Sequence, residues 1–169
     1  MRAVLPDPAT DFQGPLYRAL NPFWARAPLS GEGARRFGGR FNPKRRAALY
    51  TAFSIMGAVA EANQIGRPFE PVTLVCYEAD LTGLFDATDA AHLAARGIKA
   101  SDLAADDWRA QMIQTEQSTS QSVAEALAVA GYAGMIVPSF AKGCAPGSRN
   151  LVLWRWQTLR LIDSEGRLT

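Results

Sequence analysis

Between Ala47 and Gly66 the chain reads AALYTAFSIMGAVAEANQIG, an apolar stretch with one charged side chain, Glu61. A carboxylate in such company is costly unless water, a partner or a proton compensates it, so it marks either a structural ion pair or a reactive group. Upstream, Arg26, Arg35, Arg36, Arg40, Lys44, Arg45 and Arg46 stand against a single acid, Glu32. Arginine suits bidentate contacts to phosphate or carboxylate. Gly31, Gly33, Gly38 and Gly39 punctuate the same segment and permit tight or left-handed backbone. A cationic, glycine-rich loop that lines a site thus leads into a helix carrying one carboxylate.

Other reactive residue types are sparse. Cys76 falls in a predicted strand and Cys144 in a Gly/Pro loop, with no CxxC pair and a single histidine, His92, so a metal site is not expected. His92 and Cys144 lack any third group to orient them as a nucleophile and base. The segment GEGARRFGG places Arg36 where a dinucleotide fingerprint needs its third glycine, and no clear strand feeds it.

Stepping outward, 169 residues with 48% hydrophobic and 20% charged side chains fit one domain, 1–169, with a single core. A net charge of +2 makes nucleic acid possible but not required. No window is apolar enough to span a membrane, and cysteine usage points to a reducing compartment, hence a cytoplasmic protein. Predicted strands are Pro15–Leu20, Ala48–Ala52, Val72–Tyr77 (apolar on both faces), Tyr132–Pro138, Leu151–Trp156 and Thr158–Ile162. Ser54 is placed to cap a helix ended by Gly66, with Ile55, Ala58, Val59, Ala62 and Ile65 on its apolar face and Glu61 at that face's border. Short surface helices are expected within Asp86–Asp107, and longer ones over Trp108–Thr115 and Ser120–Ala130. This order is mixed α+β, not regular βαβ alternation.

Four pieces of the sequence also carry a family resemblance: GGRFN at Gly38–Asn42, ALYTA at Ala48–Ala52, Glu61 in the next helix, and VPS at Val137–Ser139 followed by RNLVLW. In their order and spacing they resemble the RES-domain toxins, including the ParT-like members, over roughly residues 16–156. Phe41 departs from the Trp expected in many relatives but keeps an aromatic ring. The resemblance implies a fold similar to ADP-ribosyltransferase toxins, with a split, mostly antiparallel β core flanked by helices. It also implies NAD as substrate, no metal, and Arg40, Glu61 and Ser139 as the residues behind the family name.

Under that resemblance Glu61 is the catalytic residue, steadying positive charge on the ribose as nicotinamide leaves. Arg40 holds phosphate, Tyr50 stacks on nicotinamide or orients its ribose, Ser139 and Asn150 contact ligand, and Tyr17 and Arg18 serve the adenosine-phosphate half. The favoured acceptor of ADP-ribose is a cytosolic protein, arresting growth, with NAD hydrolysis or phosphorolysis as the alternative. The resemblance further implies a cognate antitoxin with a DNA-binding domain that blocks the active site, with no direct nucleic-acid contact by this chain. Two plainer readings stand beside it: Glu61 in a structural bridge with an arginine such as Arg18, and a non-enzymatic module whose arginine-rich loop grips nucleic acid or an acidic partner.

Overall fold

Alternation in TLVCYEADLTGLFD builds the longest strand of the protein. In the computed structural model, which describes residues 4–65 and 70–168, this segment is β3 (Thr73–Asp86), with Val75, Tyr77, Ala79 and Leu81 turned inward. The expected strand over Val72–Tyr77 therefore runs on to Asp86, and it is not buried on both faces, since Leu74 faces solvent. Its long partner is β1 (Thr10–Leu20), antiparallel from Leu20–Thr73 to Thr10–Leu84. Beyond these lie β2 (Leu49–Ala52), β4 (Gly134–Pro138), β5 (Arg149–Leu153) and the two-residue β6 (Arg160–Leu161).

The strands follow the order β1-β2-β5-β4-β3, and β1 also pairs with β3, which closes the sheet into a ring; β6 hangs on the outside of β3. Only β3 and β4 run parallel. Closure removes free edges from the central strands. Leu16, Leu49, Tyr77, Leu84, Ile136, Leu151 and Leu153 fill one side of the sheet. The other side, with Phe85, Met135, Val137 and Val152, is covered by helices. Mixed α+β architecture with a mostly antiparallel core is what the chain forms.

The helices are α1 (Glu32–Phe37), α2 (Ile55–Ile65), α3 (Ala90–Ala95), α4 (Ala100–Ala104), α5 (Trp108–Thr115) and α6 (Thr119–Val129), after a 3-10 turn at Pro22–Trp24. Ser54 caps α2 as expected, its Oγ accepting the Gly57 N–H at 3.0 Å. The expected stop at Gly66 lies outside the described residues. Of the apolar stripe read on α2, Ala58 is buried as expected, but Ile55 is 47% exposed and Gly57, outside that stripe, is buried. Small residues let the helix approach the sheet closely, for a Cβ on Gly57 would sit 3.5 Å from that of Ala52. Contact, not hydropathy, sets which side faces inward.

Two further segments depart from expectation. The stretch expected to be irregular contains α1, where Glu32 accepts from both Arg35 and Arg36. The strand expected to reach Trp156 stops at Leu153, because Trp154 and Trp156 turn away to donate their indole N–H groups to Phe41 O and Leu29 O.

Candidate active site

Rotating the packed face of α2 onto Gly57 and Ala58 brings Glu61, one turn later, to the sheet instead of its border. There its Oε1 accepts two hydrogen bonds, from Ser139 Oγ at 2.9 Å and from Asn150 Nδ2 at 2.6 Å. Oε2 has no partner among the described residues, so the carboxylate is oriented through one oxygen and open at the other. Ser139 directly follows β4 and Asn150 lies on β5, two strands held in register by the Val137–Asn150 pair. The next register pairs extend this row, from Asn150 to Ala52 and from Ala52 to Tyr17. Tyr17, Ala52, Asn150 and Val137 thus line one face beneath α2. The Asn150 Oδ1 is buried and has no hydrogen-bond partner among the described residues.

Tyr50 shares that face, two residues before Ala52. Its hydroxyl accepts from the Phe41 N–H at 3.0 Å and donates to Asn42 Oδ1 at 2.6 Å, which anchors the GGRFN segment to β2. Burial pushes this phenol well above its ordinary pKa. Asn42, fully buried, donates in turn to Ala34 O, Pro43 O and Arg46 O. Both glycines of the motif are required by this geometry. Gly38 has φ +74°, and a Cβ on Gly39 would collide with the Tyr50 hydroxyl and lie 2.6 Å from Asn42 Oδ1.

Arg40 projects from the anchored loop toward the end of α4. Its Nη1 donates to Ala105 O at 2.9 Å and Leu103 O at 3.3 Å, its Nη2 reaches Asp106 at 3.4 Å, and its guanidinium lies 4.8 Å over the ring of Phe140. Phe140 follows Ser139, so Arg40 borders the Glu61 cluster through a stacked ring. Arg18 does not join them. It alternates with Tyr17 and points to the opposite face, where Nη1 donates to Pro28 O at 3.4 Å beside the Tyr77 hydroxyl. That placement also removes the Glu61–Arg18 bridge.

Part of the basic run is paired from within. Glu32 takes Arg35 and Arg36, whose bonds and charge hold its carboxyl down to about 2. Arg46 forms a two-pronged pair with Glu125 on α6. Among the described residues no group of three or more His, Cys, Asp or Glu side chains is arranged to hold a metal ion. His92 sits near Asp89 and Phe85, whereas Cys144 lines a groove between α2 and the 142–148 loop.

Sequence reasoning missed the residues that hold the motif loop from beneath: Ser120 and Gln121 of α6, and Trp154. For α6 the signal was present as the capping box STSQ at Ser118–Gln121, in which Ser118 Oγ accepts the Gln121 N–H and Gln121 Oε1 accepts the Ser118 N–H, whereas no local pattern marks Trp154.

Residues 15–167 match the family model described as the RES domain. The proteins named NAD(+) phosphorylase MbcT from Mycobacterium bovis and Mycobacterium tuberculosis are 30% identical over 146 residues, covering 75% of this chain and 74% of theirs. Among solved structures, the crystal structure of the M. tuberculosis MbcT-MbcA toxin-antitoxin complex matches with a TM-score of 0.67 and 26% identity, covering 92% of this chain and 84% of that one. With the motif loop, the core-helix glutamate and the serine after β4 in one neighbourhood, and the match extending over nearly the whole sequence, this chain belongs to the RES domain family.

Proposed function

We propose that this protein is the NAD-consuming toxin of a toxin–antitoxin pair and that it cleaves the nicotinamide–ribose bond with inorganic phosphate as acceptor. The observation that carries the reading is the Glu61 carboxylate, fixed by Ser139 and Asn150 through Oε1 and open at Oε2. In the proposed reaction nicotinamide leaves with the electron pair of its bond to the ribose. A phosphate oxygen then bonds to the same carbon, giving ADP-ribose carrying a 1″-phosphate. As the bond breaks, positive charge spreads over the ribose, and an oriented carboxylate at a ribose hydroxyl stabilises that state more than it stabilises intact NAD. Catalytic work is assigned to Glu61; Arg40, Tyr50, Ser139, Asn150 and Tyr17 are assigned to the dinucleotide, and Arg18 is left out.

Phosphate is chosen over a protein acceptor because the curated relatives are named for phosphorolysis. A non-enzymatic binding module is disfavoured because Arg35, Arg36 and Arg46 already have carboxylate partners within the chain. The partner proposed is an antitoxin that covers the mouth of the site and carries the DNA-binding domain, in keeping with the toxin–antitoxin complex of the structural relative. The place of action proposed is the cytoplasm, where NAD and phosphate are both abundant.

Purified protein incubated with NAD, with and without phosphate, tests the reaction. Nicotinamide release that depends on phosphate, together with a new sugar-phosphate signal in the phosphorus NMR spectrum, is expected. Release independent of phosphate would point to hydrolysis, and label from NAD appearing on lysate proteins would restore the protein acceptor.

A further inference from the structure

Gln121 is fully buried on α6, away from Glu61, and every polar atom of its side chain is engaged. Oε1 accepts the Ser118 N–H at 2.9 Å and closes the helix cap. Nε2 crosses to the motif loop and donates to Gly39 O at 2.9 Å and Asn42 O at 3.1 Å, the two carbonyls that bracket Arg40. The neighbouring Ser120 Oγ donates to Arg40 O at 2.7 Å, and Trp154 Nε1 donates to Phe41 O at 3.0 Å. Four consecutive carbonyls, Gly39 to Asn42, are therefore held by side chains from elsewhere in the fold. A cap alone needs none of these loop bonds. Buried amides satisfied this completely fix one geometry, because any displacement of the loop leaves acceptors and donors stranded without water.

We infer that Gln121 is a positioning residue: with Ser120 it clamps the Gly39–Asn42 segment and so sets the direction in which Arg40 meets the substrate. This rests on the proposal that the substrate is a dinucleotide held in part by Arg40. Gln121 touches no substrate in this scheme; it acts through the loop.

The Gln121→Glu variant separates the two roles of the side chain. A glutamate keeps Oε1 on the Ser118 N–H and is itself favoured at this cap position, but ionised it sets an acceptor against the Gly39 and Asn42 carbonyls and protonated it can donate to only one of them, so the two-carbonyl clamp is lost either way. With the fold retained, the KM for NAD is expected to rise about tenfold while kcat stays within about threefold. In an Arg40→Ala background the same substitution should change KM by less than about twofold, since residues acting as one unit are not additive. Hydrogen exchange at the Gly39 and Phe41 amides should accelerate about tenfold. If Gln121→Glu fails to fold, Ser120→Ala, which removes one loop bond, is measured in its place. Unchanged exchange in the folded variant overturns the clamp whatever the activity, and an undiminished effect in the Arg40→Ala background overturns the route through Arg40. Wild-type protein that releases no nicotinamide overturns instead the reading under which this loop holds a dinucleotide.

Discussion

At Oε1 of Glu61 two donors meet, and each can be removed without touching the other. Ser139→Ala leaves Asn150 in place and should lower nicotinamide release about tenfold, the equivalent of about 1.4 kcal/mol, with the melting temperature little changed. Glu61→Gln keeps an acceptor for both donors but replaces the open Oε2 with an amide; turnover should fall about 100-fold or more while the fold persists, as steady-state rates and circular dichroism would show. Asn150→Asp sets a second carboxyl at bonding distance from the first. Two such groups repel when both are charged, so this variant should release nicotinamide more slowly than the parent at neutral pH while circular dichroism stays unchanged. These residues were legible to different degrees. Glu61 stood out by being the one charge in an apolar run, whereas Ser139 and Asn150 were visible only through the family motifs, because their sequence neighbours are ordinary turn and strand residues.

Among the elements, the motif loop and α1 carry the sharpest expectations. A methyl group at Gly39 has no room beside Tyr50 and Asn42, both tied into the network, so Gly39→Ala should destabilise the protein by about 1–3 kcal/mol in urea unfolding and reduce nicotinamide release in parallel. In α1 the Glu32 carboxyl is depressed from 4.5 to about 2 by its arginine partners. A depressed acid contributes stability that is fully present above its unfolded value and is lost as pH falls through the folded one. The protection of the Glu32–Phe37 amides relative to their intrinsic exchange rates should therefore fall between pH 4.5 and about 2, and high salt should blunt the difference. The elements were read with uneven success for physical reasons. Strands announced themselves by alternation, but their ends did not, since Trp154 leaves β5 for a hydrogen bond to Phe41 O that no local pattern encodes. The buried side of α2 was right at Ala58 but shifted from Ile55 to Gly57, because close packing against the sheet favours the smaller residue.

Across the whole molecule, ring closure organises everything else. The inner cluster draws side chains from β1 through β5, so Leu151→Ala, at a fully buried position there, should cost about 2–5 kcal/mol and move the denaturant midpoint accordingly. Mixed α+β class was evident from the order of elements, but closure was not, because it depends on β1 pairing with both β2 and β3 across long stretches of chain. The same long reach has a temporal consequence. Glu61 receives its two orienting donors from positions 78 and 89 residues further along. A polypeptide emerging from the ribosome therefore exposes the acid well before β4 and β5 exist to aim it. On the proposed function, a chain translated only as far as α2 carries the acid without the two donors that aim it, so catalysis waits for β4 and β5.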